Sequence, residues 1–258
     1  MKLTSDYHTH TVYSHGKGTI LDNAIIAQKK GLKEIGISDH GFSHPAFGLR
    51  KRKLPIMKKL CESASEKTGV KVLLGIESNI VCESGKTDLK PDRYDYFDIF
   101  LAGIHKLIMY KPKSVFTLGI PNLVCSFFNV KDVPNSLKKS NTKAFVNVIK
   151  NNPVDVITHL NFCCYADAVE VAKVASDYGT YIELNSKKVH LTDEELRKVV
   201  DTGVNFIISS DAHTPDRVGE ISLVDNLVKR INIPLDRIYN VDGRLPDFRF
   251  KKFKEKNL

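Results

Sequence analysis

The stretch Glu34-Ile35-Gly36-Ile37-Ser38-Asp39-His40-Gly41 is a short apolar run that leads straight into a metal-capable side chain. Such a run, bounded by turn residues, reads as a buried strand. The same form recurs along the chain. Val70–Ile76 leads into Glu77, Phe97–Ile104 into His105, Val154–Thr158 into His159, and Val204–Ser209 into Asp211-Ala212-His213. Thr180–Leu184 carries Glu183 and is followed by Asn185. The first strand, over 6–10, holds His8 and His10, two apart and therefore on one side of an extended chain. His15 follows after a turn in Ser14-His15-Gly16.

Between these strands the sequence predicts helices. They fall near 20–31, closing at Gly31, and near 53–68, 135–150, 165–178, 192–202 and 219–231. Thr192-Asp193-Glu194-Glu195 has the form of a capping box. Strands alternating with helices predict a mainly parallel sheet with helices outside, and 258 residues suit one closed α/β barrel. No repeat or linker divides the chain, so residues 1–258 are expected to form a single domain. Two segments stand apart. Residues 106–133, with Pro112 and Pro121 and no clear apolar period, read as an insertion over the active face. Residues 245–258 read as a basic, solvated and partly mobile tail.

Composition narrows the classes. With 42% hydrophobic and 27% charged residues the chain is that of a globular protein, and no apolar run approaches the length of a membrane span. The N-terminus enters the first strand without a secretory pattern, so a cytoplasmic location with no membrane partner is the expectation. The five cysteines include no C-x-x-C pair, which argues against a disulfide framework or a cysteine zinc site. The net charge of +9 suits an anionic partner.

In a closed βα barrel the carboxyl ends of the strands converge on one face, where catalysis is found. His8, His10, His15, His40, Glu77, His105, His159, Asp211 and His213 would then share one site. That set is rich in nitrogen and includes carboxylates, which suits zinc, manganese or iron better than magnesium or calcium. Clustered metals lower the pKa of a bridging water, supplying hydroxide, and clamp phosphoryl oxygens during in-line displacement. Glu77 is suited to bridge two ions, while Asp39, Glu183 and Asn185 could orient ligands. Arg217, Lys106, Arg50 and Arg52 are the candidates to hold substrate phosphate, within or beside the run Arg50-Lys51-Arg52-Lys53 and the loops after His105 and His213.

The ordered motifs His8-Thr9-His10, Ser14-His15-Gly16, Ser38-Asp39-His40-Gly41, Gly75-Ile76-Glu77, the strand-terminal His105 and His159, and Asp211-Ala212-His213 resemble the PHP (polymerase and histidinol phosphatase) family over nearly the whole chain. Within it the sequence is most similar to the small YcdX-type phosphoesterases. The resemblance implies a distorted (β/α)7 TIM-like barrel with a trinuclear site of three divalent ions. One ion would be held by His8, His10, Glu77 and Asp211, which the resemblance makes the catalytic set, acting through metal-bound hydroxide. A second would share Glu77 and add His105 and His159, and a third would take His15, His40 and His213. Many members carry Asp where this chain has His15. His44 and His190 are left over, the first near the pocket and the second expected at the surface.

The function expected is hydrolysis of a small phosphate monoester. Alternatives are a histidinol-phosphate phosphatase, a nucleic-acid phosphodiesterase or exonuclease, and a non-enzymatic metal-binding module. Nucleic acid is not the favoured partner, because basic residues are not interleaved with aromatic ones in a stacking platform.

Overall fold

A computed structural model describes residues 1–128, 130 and 133–257. In chain order the main elements are β1 (Ser5–Thr9), α1 (Ile20–Lys29), β2 (Glu34–Ile37), α2 (Leu54–Thr68), β3 (Lys71–Asn79), β4 (Ile99–Gly103), α3 (Pro112–Ser114), α4 (Ile120–Phe127), α5 (Asn135–Asn151), β5 (Val156–Ile157), α6 (Ala168–Tyr178), β6 (Tyr181–Asn185), α7 (Asp193–Asp201), β7 (Phe206–Ser209), α8 (Ser222–Ile231) and α9 (Arg249–Asn257). The strands form one sheet in sequence order, and every neighbouring pair is parallel. The ends of the sheet approach each other through a parallel bridge between Thr9 and Ala212, with the His10 N–H donating to the Ala212 carbonyl at 2.8 Å. The result is a nearly closed barrel.

Two apolar layers hold it. The larger lies between strands and helices and includes Ile35, Ile37, Leu74, Ile76, Phe100, Ile182, Phe206 and Ile208, packed on Ala24, Met57, Val148, Ala172 and Val224. The smaller fills the barrel interior with Tyr7, Ile99, Leu101, Val156, Tyr181, Ile207 and Phe248. Side chains along a strand alternate between the two layers, so residues two and four places beyond an interior one, such as Glu183 after Tyr181, stay inside and rise toward the upper rim. β1 breaks this alternation: its register shifts between Asp6 and Thr9. Tyr7 therefore joins the interior layer while His8 and His10 reach the rim above it, the kind of re-aiming a bulge provides.

Buried Asp6 helps fix this closure. Its carboxylate accepts the Ser210 hydroxyl at 2.5 Å and the Gly219 N–H at 2.8 Å, tying β1 to the segment after β7. The helix ends follow their sequence signals. Thr192 and Glu195 form the expected capping box, and Thr19 with Asp22 forms another. Gly31, just beyond α1, takes a φ of +71°.

Two expectations change. The segment 106–133 is largely helical: α3 runs through a π-helical turn, Val115–Gly119, into α4. Pro112 occupies a first-turn position, where the missing N–H costs nothing, and Pro121 stands at the start of α4, directly after the π-helical turn. Positions 129, 131 and 132 of that segment, and 258 of the tail, lie outside the described residues. The tail is also structured. Phe248 packs edge-on against Tyr7 at 4.9 Å, and Phe250 is wholly buried against Tyr94 and Phe100. Asp155 accepts the Phe250 N–H at 2.8 Å and the Phe100 N–H at 2.9 Å, while Arg249 donates to Thr180 Oγ1 at 2.6 Å. These residues close the barrel at its amino-terminal end, opposite the histidines; Lys251, Lys252 and Lys256 of α9 are exposed, while Lys254 donates to the Phe97 carbonyl at 2.5 Å.

Candidate metal centre

Each expected ligand comes from the carboxyl end of a strand or the loop after it, and most are brought together around Glu77 at the end of β3. The two oxygens of this buried carboxylate face different partners. Oε1 lies 2.9 Å from His105 Nε2 and 2.6 Å from His159 Nε2. Oε2 lies 2.9 Å from His40 Nδ1, 3.3 Å from His8 Nε2 and 3.7 Å from His10 Nε2. Asp211 Oδ1 approaches His10 Nε2 at 3.4 Å, His213 Nδ1 at 3.2 Å and His8 Nε2 at 4.0 Å. Three sets of donor atoms converge closely enough to hold an ion: His8, His10 and Asp211; His40, Glu77 and His105; and His10, His40 and His213.

Several of these side chains are oriented from behind. His8 Nδ1 meets Glu183 Oε1 at 2.7 Å, which leaves Nε2 turned into the site. Asn79 Oδ1 accepts from His105 Nδ1 at 2.7 Å, and Asn79 is held in turn by Asp88 at 2.7 Å. Asp39 accepts the Thr11 N–H and hydroxyl and the Ser14 hydroxyl, so it shapes the loop that carries His15. Gly103 is required by close approach: a Cβ there would fall on Thr158 Oγ1 and lie 3.1 Å from His159 Cε1. His159 and Asp211 both have positive φ, 26° and 48°, a left-handed strain that concentrates at functional sites.

The electrostatics oppose one another. Burial alone would lower His8, but Glu77, Glu183 and Asp211 hold it well above the ordinary imidazole value. Burial and then His40 hold His10 well below it. Burial disfavours the Glu77 anion, yet His105, His8 and His159 keep it well below the usual carboxylate range. Protonating all the rings around one carboxylate would crowd positive charge in a buried space. Some rings must therefore present lone pairs.

Among buried atoms without a hydrogen-bond partner are His40 Nδ1, Glu77 Oε2, His10 Nδ1 and His159 Nδ1. His40 Nδ1 and Glu77 Oε2 are within hydrogen-bond distance but misaligned for one. Imidazole nitrogens and carboxylate oxygens left in this state are the donor set of zinc, manganese or iron, and the residues fit such ions.

The cluster opens into a cavity of about 400 Å³. His15 is exposed at its rim, its ring 4.5 Å from Phe47 and tilted 32° to it, 4.8 Å from His213 and 5.9 Å from His40. It belongs to none of the convergent sets found among the described residues. Lys106 and His44 line the cavity; Arg50, Arg52 and Arg217 do not. Arg50 and Arg52 are exposed, and Arg217 ends a short turn, Pro215–Arg217. His190, expected at the surface, is half-buried and lines the cavity, its ring 5.0 Å from Phe162. Residues not foreseen are Asn79, Phe47, Phe162, Lys188 and above all Lys187, whose Nζ lies 3.2 Å from His213 Nδ1 and 3.5 Å from Asp211. The signal for Lys187 was present: Ser186-Lys187-Lys188 directly follows β6, on the face where the ligands gather.

A parallel α/β barrel that delivers histidines and carboxylates to one cavity at its strand ends is an architecture of metal-dependent hydrolases. The chain belongs to the PHP domain family, whose model matches residues 6–187. It is 31% identical to a probable phosphatase of Thermoanaerobacter sp. (strain X514), covering 96% of this chain and 95% of that one. It is 28% identical to a probable phosphatase of Shewanella sp. (strain MR-4), covering 93% and 88%. Its fold is similar to that of histidinol phosphate phosphatase from Lactococcus lactis subsp. lactis Il1403, solved with zinc, L-histidinol and phosphate, with a TM-score of 0.61, 15% identity, and coverage of 95% and 99%. No helix among the described residues is long and apolar enough to cross a membrane.

Proposed function

We propose that this PHP-family hydrolase of phosphoester bonds is a metal-dependent phosphatase acting on a small phosphate monoester, with its ions bridged by Glu77. The observation that carries this reading is the division of the Glu77 carboxylate: Oε1 toward His105 and His159, Oε2 toward His8, His10 and His40. One ion would take His8, His10, Glu77 and Asp211, and a second Glu77, His105 and His159. A third would take His40 and His213, with His15 approaching from the rim. When bound, such ions supply Lewis acidity at phosphoryl oxygens and lower the pKa of water.

The chain's own contribution is to position and neutralise. Glu183 and Asn79 fix the His8 and His105 rings, so the donors need little reorganisation. Lys187, and Lys106 at the cavity wall, offer point charges to substrate phosphate oxygens. Phe47 and Phe162 give the cavity apolar walls suited to the alcohol portion of the ester.

The test is phosphate release from p-nitrophenyl phosphate by protein loaded with zinc, manganese or iron. The wild type should turn over, and Glu77→Gln and His105→Ala should lose both metal and turnover. Wild-type protein inert with every ion, or variants as active as the wild type, would overturn the reading. The aromatic walls also accommodate an imidazole or a nucleobase. Histidinol phosphate and nucleoside monophosphates, compared by kcat/KM, therefore distinguish the dedicated from the general phosphatase.

A further inference from the structure

The helical run from α3 through α4 is packed inside out. Its buried positions are Ser114, Leu118, Asn122 and Cys125. Its exposed positions are Phe116, Ile120, Leu123, Val124, Phe127 and Phe128, with the three phenylalanines 73%, 79% and 70% exposed. The exposed residues recur at helical spacing and form one continuous stripe. An ordinary surface helix turns such a stripe inward; this one turns it to solvent.

The orientation is fixed rather than slack. Asn122 and Asn141 exchange two amide hydrogen bonds, at 2.7 and 2.9 Å, and Asn141 also donates to the Tyr165 carbonyl at 3.1 Å. Rotating the helix to bury its phenylalanines would break this buried pair. Together with Leu107, which shares a shallow cavity with Ile120 and Leu123, the stripe exposes roughly 800 Å². That exceeds the largest apolar patch usual on a monomer and equals what one partner contributes to a stable complex.

We infer that this face seats a second copy of the chain, with the same stripe on each copy packed about a two-fold axis. No Asp, Glu, Lys or Arg lies between Ser114 and Phe128. An uncharged centre rich in phenylalanine is the composition of an interface core, and a helix stripe that packs on its own copy makes a closed pair. A lipid surface is the less suitable occupant. Interfacial helices carry lysine and arginine on the face opposite the apolar one, whereas here that face is buried and holds Ser114, Leu118, Asn122 and Cys125, none of them charged.

The inference rests on packing alone and is tested apart from catalysis. Light scattering and sedimentation of the full chain should give twice the 29.0 kDa chain mass at micromolar concentration. Phe116→Asp and Phe127→Asp should each weaken the pair by about 30-fold or more, with far-UV dichroism unchanged. Leu223→Asp, at an exposed leucine on α8, should leave it intact. A wild type that is monomeric throughout, a pair indifferent to both phenylalanine variants, or a pair equally weakened by Leu223→Asp would overturn it. So would a monomer that floats with phosphatidylserine vesicles.

Discussion

Glu183 Oε1 holds His8 Nδ1 at 2.7 Å, while its other oxygen accepts the His159 N–H at 2.6 Å. One buried carboxylate thus sets the ring of one proposed ligand, on β1, and the backbone of another just after β5. Glu183→Gln keeps the shape but removes the charge that orients His8. Metal affinity should fall about 10- to 100-fold, read by competition with a chelating dye. Unchanged affinity would mean that packing alone fixes His8.

Removing metal should destabilise the fold, because only the folded state assembles the donors around Glu77. At ion concentrations near a thousand times Kd the linkage is about 4 kcal/mol, or roughly 10 °C in Tm for a chain of this size. Calorimetry with and without EDTA checks this. Glu77→Gln should abolish most of the difference.

Lys187 and Arg52 separate a charge at the site from a charge elsewhere. Lys187→Ala should raise KM for a phosphate monoester about tenfold, an effect reduced by the partial exposure of its ammonium. Metal content should stay the same. Arg52→Ala, outside the cavity, should leave KM within error.

Phe250 gives the corresponding test at the other end of the barrel. Phe250→Ala removes a fully buried ring and should cost about 3–5 kcal/mol in urea unfolding. Donor geometry at Glu77 should survive, so metal bound per folded molecule should not change.

Burial pushes Asp155 up to about 7 from 3.8, against the Phe100 and Phe250 N–H groups and Arg249. A carboxyl raised on folding binds its proton more tightly in the native state. Its contribution is therefore complete below pH 3.8 and is lost as pH rises through 7, on the order of 4 kcal/mol. The stability difference between wild type and Asp155→Asn should shift in favour of the variant between pH 4 and pH 8. A flat difference would show that the two N–H groups keep the anion as stable as it is in water.

Where sequence and structure agree, the reason is geometric. A parallel barrel strand ends on the active face, so an apolar run terminating in His40, Glu77, His105 or His159 states both the element and its place. Where they part, the local pattern was ambiguous. Phe248 and Phe250 sit among lysines, and two buried rings in a basic stretch give no period to read. Pro112 and Pro121 resemble breaks until their places at the starts of α3 and α4 are seen, and the outward apolar stripe of α4 hides the inward face by which a helix is usually found. Lys187 and His190 follow the end of β6, but only the folded loop shows that both reach the cavity.

Phe248 and Phe250 are also translated after every strand they seal. A ribosome-bound chain that has already emitted β7 still has an open floor, with Tyr7, Leu101 and Tyr181 lacking their cover. Synthesis therefore leaves an interval in which a cylinder with all seven strands in place is still sticky from below.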